Sequence, residues 1–292
     1  MRRFFRVLTV LSCTALGLYL GVGGYVASQI AFPNRLPLDP EAKSTLGNPL
    51  EVRFPSRSGG VPLAGWFFPG GSRTVMLVHG LDGNRAVPSI LNTIPFYRQL
   101  GWSVLAFDLR GHGESGAARL GLGLWEKGDV LGAMDFLTSQ GIPPAQVLLQ
   151  GWSLGAVAVM LAAAECEEPP LGVVADSPYS RLVPVLLANL HKRTGLPSFT
   201  NWGVLLMGRL LFGLNPWQVR ADLAAEELHR RGIPLLLIHG EDDELVPPEH
   251  AREILAAYPE AQTWIVPDCG HALAWKREEY FQVLSSFLES LP

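Results

Sequence analysis

Cysteine is scarce in this 292-residue chain. Three residues, Cys13, Cys166 and Cys269, are too few for a disulfide framework, and no pair has the spacing of metal ligands. Cys166 is expected about 13 residues along a helix leading away from the loop of Cys269, roughly 20 Å off, so all three read as free thiols. Charge is also sparse, at 17% of residues, and 23 Lys+Arg against 27 Asp+Glu give a formal net charge of -4. That balance lacks the basic character a phosphate backbone requires and argues against a nucleic-acid partner. Internal repeats and low-complexity segments are missing as well, which leaves one globular α/β-sized unit behind the N-terminal stretch.

Apolar residues are abundant, at 48%, and must be buried in a core or in lipid. From Val7 to Phe32 no side chain is charged. That stretch exceeds the ~20 residues a helix needs to cross a bilayer core. Arg2, Arg3 and Arg6 precede it, whereas Arg35 and Lys43 beyond it are accompanied by Asp39 and Glu41. The positive-inside bias therefore keeps the N-terminus cytoplasmic and places the rest of the chain outside, as a single-pass membrane protein anchored through residues 1–32. A cleavable signal peptide is the alternative, with small residues at Val26-Ala27-Ser28 near a cut site. Pro33 to Pro55, rich in Pro, Gly and charge, reads as a tether, with the linker over 33–49 and the globular domain over 50–292.

Short Val/Leu/Ile-rich runs without strict alternation recur at Leu63–Phe68, Thr74–His79, Ser103–Phe107, Gln146–Gln150, Gly172–Ala175, Pro234–His239 and Thr263–Val266. Such strands are buried on both faces. Stretches of helical character lie between them at Ala86–Leu100, Glu126–Gln140, Leu154–Ala164, His250–Tyr258 and Arg277–Leu291. This alternation implies an α/β fold with a mostly parallel central sheet flanked by helices. Two apolar helical stretches, Leu182–Leu190 and Trp202–Leu214, interrupt it and read as a lid over about 177–220, although helices completing the core would give the same pattern.

Chemistry concentrates at strand ends. Gly151-Trp152-Ser153-Leu154-Gly155 sits directly between a strand and an Ala-rich helix, where a tight reversal exposes a serine hydroxyl and aims the Leu154 N–H at any oxyanion formed there. A serine nucleophile needs a histidine base and a carboxylate to orient it, expected in the order Ser, Asp or Glu, His. Asp243 follows the strand ending at His239, and His271 follows the last strand, so both reach the same edge of the sheet. Asp176 and Asp242 are rival acids, and His239 and His112 are rival bases that stand out of order. The turn His79-Gly80-Leu81-Asp82-Gly83 offers the Leu81 N–H as a second oxyanion donor.

Taken together, His79-Gly80, Asp108 through Ser115, Gly151 through Gly155, His239 through Pro247 and Gly270-His271 resemble the α/β-hydrolase superfamily over about Val52 to the C-terminus. The similarity is to its serine aminopeptidase-like and monoacylglycerol lipase-like branch and to membrane-anchored bacterial hydrolases. The resemblance implies ester, thioester or amide hydrolysis through an acyl-enzyme, without cofactor or metal, and a structural role for Asp108–Ser115. An apolar lid carrying Leu182, Leu186, Leu190, Trp202, Leu206 and Leu210 suits a small-molecule or lipid-like ester, with Trp202 or Trp217 meeting lipid or an acyl chain. A serine peptidase of small peptides and a catalytically silent membrane-bound interaction protein are the alternatives.

Overall fold

A computed structural model describes all 292 residues. The chain opens with α1 (Arg2–Ala31) and the single turn α2 (Ala42–Thr45), followed by β1 (Leu50–Pro55), β2 (Pro62–Phe68), β3 (Thr74–Val78), α3 (Pro88–Gln99) and β4 (Ser103–Phe107). Next come α4 (Glu126–Ser139), β5 (Val147–Trp152), α5 (Leu154–Glu165) and β6 (Gly172–Asp176). The helices α6 (Leu182–Thr194), α7 (Thr200–Phe212) and α8 (Ala221–Arg230) precede β7 (Leu235–Gly240), α9 (Glu249–Ala257), β8 (Gln262–Val266) and α10 (Tyr280–Glu289).

The eight strands form one sheet in the order β1-β2-β4-β3-β5-β6-β7-β8. The first two are antiparallel to their neighbours, and every pairing from β4 to β8 is parallel. The strands β3 to β7 are buried along their whole length, because helices cover both faces of the sheet. One core layer packs Leu131, Ala158, Leu228 and Ile254 against the sheet, and the other packs Ile90, Ile94, Leu284 and Phe287. Because the central strands run parallel, the loops after β3, β5, β6, β7 and β8 all emerge at one edge.

Two features depart from expectation. β1, which no apolar run announces, opens the domain expected from residue 50, paired with β2 from Leu50↔Phe67 to Pro55↔Pro62. It is an edge strand whose polar Glu51 and Arg53 stay at the surface, so its sequence resembles a linker. The segment before it is also held to the domain: Ala42 and Leu46 are buried, Arg98 donates to the Leu46 carbonyl at 2.8 Å, and Asn84 donates to those of Leu36 and Pro37.

The second departure is α1, which does not stand apart from the domain. Its C-terminal half packs along α7, burying Gly23, Val26, Ala27 and Ala31. A Cβ on Gly23 would lie 2.7 Å from the Gly203 backbone, so only glycine permits this crossing. Tyr19 stacks on Phe199 and donates its hydroxyl to the Phe199 carbonyl at 3.0 Å. The insertion carrying α6 and α7 is closed at its neck by an antiparallel bridge between Arg181 and Arg220.

Candidate active site

Ser153 caps α5 at φ 52° and ψ -116°, a left-handed conformation that a serine adopts only under strain of about 1–3 kcal/mol. Two glycines make the reversal possible. A Cβ on Gly151 would fall 2.4 Å from the Gly155 backbone, and one on Gly155 would fall 2.2 Å from the Val78 carbonyl oxygen. The Ser153 N–H donates to the Asp176 carbonyl at 2.8 Å, which ties the turn to β6.

The loops after β7 and β8 bring Asp243 and His271 to this serine. His271 Nε2 lies 2.7 Å from Ser153 Oγ, and His271 Nδ1 lies 2.7 Å from Asp243 Oδ2. The other Asp243 oxygen accepts the N–H groups of Leu245 and Val246 at 3.0 and 2.8 Å. A buried carboxylate satisfied in this way is fixed in orientation, and it fixes the histidine ring in turn.

The rival residues sit elsewhere. Asp242 is exposed. Asp176 is fully buried, and burial pushes its carboxyl up to about 7. Its Oδ1 accepts the Ser177 hydroxyl at 3.1 Å, and Ser177 Oγ accepts the Ala272 N–H at 3.0 Å, so Asp176 braces the loop carrying His271. His239 is buried with its Nε2 against the Val246 carbonyl at 2.8 Å and behind Asp243 at 3.5 Å, and burial lowers its basicity. His112 is buried on the Arg110 carbonyl at 2.9 Å.

His79 bears on the N–H group expected of Leu81 as an oxyanion donor. Burial lowers its imidazole to about 4, so the ring is neutral. Its Nε2 accepts the Leu109 N–H at 3.0 Å, which leaves Nδ1–H to donate to the Gly80 carbonyl at 2.7 Å. A trans peptide points its C=O and N–H in opposite directions, so holding Gly80 O aims the Leu81 N–H away from His79. That N–H bonds to no protein group, Leu81 lines the same cleft as Ser153, and Leu154 is the first residue of α5 with its N–H free of helical pairing. The Asp108–Ser115 turn is structural: Asp108 accepts the N–H groups of Arg85 and Glu114 and pairs with the Arg85 guanidinium.

A cleft of about 870 Å³ opens from Ser153. Leu182, Leu186 and Leu190 of α6 line one side. The α1 helix, from Gly17 through Ile30, lines the cleft too, a contribution that reading the N-terminus as a plain anchor does not anticipate. The sequence signal for it was the run of small residues Gly17, Gly21, Gly23, Gly24 and Ala27 within an apolar helix. Trp202, Leu206 and Leu210, expected to serve the pocket, point outward instead and are 48–67% exposed.

A mostly parallel sheet covered on both faces, with serine on a strained strand-to-helix reversal, defines the hydrolase class of α/β folds. Residues 75–283 match the alpha/beta hydrolase family, and the chain belongs to it. It is 30% identical to uncharacterized protein Rv2307c of Mycobacterium tuberculosis over 276 residues, 92% of this chain and 88% of that one. It is 27% identical to lysophosphatidylserine lipase ABHD12 of Macaca fascicularis over 231 residues, 73% of this chain and 55% of that protein. Among solved structures, the Pyrococcus furiosus esterase Pf2001 superposes with a TM-score of 0.73 at 24% identity, covering 90% of this chain and 98% of the esterase.

Proposed function

We propose that this hydrolase is a membrane-anchored serine esterase in which Ser153, His271 and Asp243 form the catalytic triad. Ser153 Oγ attacks the ester carbonyl as His271 Nε2 takes its proton, and the N–H groups of Leu81 and Leu154 hold the oxyanion. His271 then protonates the departing alkoxide, leaving an acyl-serine and an alcohol. Water, deprotonated by the same nitrogen, attacks that acyl group; the carboxylate leaves and Ser153 regains its proton. Asp243 holds His271 in the tautomer that faces Ser153 throughout.

The observation that carries this reading is the unbroken relay from Asp243 to His271 to Ser153, 2.7 Å at each step, at the foot of an apolar cleft. Esters are favoured over peptides because the cleft wall holds one acidic residue, Asp82, and Arg193 lies 3.6 Å from it. A peptidase that captures a free amino terminus needs an unpaired carboxylate there, and Glu165, Glu167 and Glu168 lie at the far end of α5. The lipase and esterase relatives agree with ester chemistry. α1 crosses the bilayer once, with Arg2, Arg3 and Arg6 on the cytoplasmic face and the catalytic domain on the other side.

The test is a series of p-nitrophenyl esters of increasing chain length beside aminoacyl-anilides, assayed on the full chain in lipid nanodiscs. Turnover of esters with little of anilides is expected. Faster turnover of the anilides would transfer the site to peptide chemistry.

A further inference from the structure

The cleft and the anchor share a helix. Two adjacent rows of α1, one through Gly17 and Gly21 and one through Leu18 and Val22, face the cleft and lead to Ile30 beside the catalytic end. From Gly17 to Ile30 is about 20 Å of helix. One leaflet of a bilayer core is about 15 Å thick. Gly17 and Gly21 have nothing within 4 Å of where a Cβ would stand, so at these two positions the helix presents bare backbone to open space.

The depth of this cleft follows from length. The charge-free run of α1 begins at Val7, and only Val7–Leu16 stands clear of the domain, about 15 Å of helix. A hydrocarbon core of about 30 Å therefore has to include the next ~10 residues, Gly17 to Val26, which wall the cleft and pack on α7. The outward face of α7 fits that depth independently. Phe199, Trp202, Leu206, Leu210 and Leu211 are all about half exposed or more, an apolar stripe that is costly in water and stable in lipid. Leu18 is 67% exposed, so the cleft is open sideways rather than only upward.

We propose that α1 is one wall of the acyl-chain site, and that the substrate is a long-chain ester resident in the outer leaflet whose chain slides from the bilayer between α1 and α6 to reach Ser153. The proposal rests on the esterase reading above. It assigns the anchor helix a substrate-binding role in addition to retention at the membrane, with Gly17 and Gly21 setting the width of the channel.

Full-length protein in phospholipid vesicles, carrying Gly21→Phe or Gly17→Phe, tests it against p-nitrophenyl palmitate dissolved in the vesicles and p-nitrophenyl acetate in solution. Leu11→Phe, which lies outside the cleft, is the control. A phenyl group in the channel is expected to lower palmitate turnover by about tenfold or more, the effect of denying burial to as few as two methylenes. Acetate turnover and fluorophosphonate labelling, which need only the catalytic end of the cleft, should fall less than palmitate turnover, so the palmitate-to-acetate ratio drops, while Leu11→Phe leaves all three readouts as in wild type. An unchanged palmitate-to-acetate ratio in both glycine variants would overturn the proposal. Should Gly21→Phe lose acetate turnover through misfolding, Gly17→Phe, one turn further from Ser153, decides the matter. Wild-type protein that hydrolyses neither ester and takes no label would overturn the esterase reading itself.

Discussion

The two ends of the cleft are built by different physics. At the sheet end, each functional group is pinned by polar bonds: Asp243 by two backbone N–H groups, His271 by Asp243, Gly80 by His79, and Ser153 by its own strained turn. At the α1 end, α1 meets α6 and α7 through close packing of small and apolar residues, with the Tyr19 hydroxyl supplying a polar tie to the start of α7. Chemistry needs atoms held to fractions of an ångström, and directional bonds provide that. Admitting a flexible chain needs a smooth wall that can adjust, and dispersion contacts provide that.

The sharpest way to break this contrast is at the sheet end. Ser153→Ala should abolish ester turnover, a loss on the order of a million-fold, while circular dichroism and melting temperature stay near wild type, since alanine keeps the Cβ and the backbone conformation of the turn. Near-normal turnover would move the nucleophile elsewhere. Asp243→Asn should cost about ten-thousand-fold in kcat by releasing the His271 tautomer. Asp176→Asn should cost less than about tenfold, because its link to Ser177 and Ala272 survives the change. The reverse ranking would hand the orienting role to Asp176.

At the α1 end the expected effects are on stability. Gly23→Leu places a side chain where even a Cβ meets the Gly203 backbone, so α1 and α7 must separate at a cost of about 1–3 kcal/mol. Limited proteolysis should then cut first within α6–α7, with acetate turnover changing little. Loss of acetate turnover in step with proteolysis would show that the two ends are not independent.

The last effect concerns pH. The folded pKa of Asp176, about 7, lies above its unfolded value of 3.8, so the folded state holds the extra proton between those values. Stability contributed by this group is therefore greatest at low pH and declines as pH rises from about 4 to about 7. Melting curves of Asp176→Asn should fall less steeply across that window than those of wild type. Parallel curves would mean that Asp176 is ionised in the folded protein.

Much of this architecture was legible along the chain, and the reasons differ by region. Continuous apolar runs such as Val75–Val78 and Leu235–Ile238 announce strands buried on both faces, and Gly151 through Gly155 between a strand and an Ala-rich helix specifies its turn by steric necessity. Asp243 and His271 were located by their place after strands, since parallel strands leave them no other edge to reach. β1 escaped notice because edge strands alternate polar and apolar residues as linkers can. The short helix α8, between the lid and β7, gives a weak signal because its buried face is three alanines and one leucine, Ala221, Ala224, Ala225 and Leu228. The role of α1 was hidden for a deeper reason: small residues at Gly17, Gly21, Gly23 and Ala27 suit a lipid-facing helix, a helix crossing and a channel wall equally well. Only the partner, Gly203 on a helix some 180 residues later, decides among them.

The central claim, that Ser153 is an activated nucleophile at the foot of a lipid-accessible cleft, is tested most directly by fluorophosphonate labelling of the full chain in vesicles, with the modified peptide identified by mass spectrometry. A single adduct on Ser153 is expected in wild type, lost in Ser153→Ala and strongly slowed in His271→Ala. An unlabelled wild-type protein, or an adduct on any other residue, would contradict it.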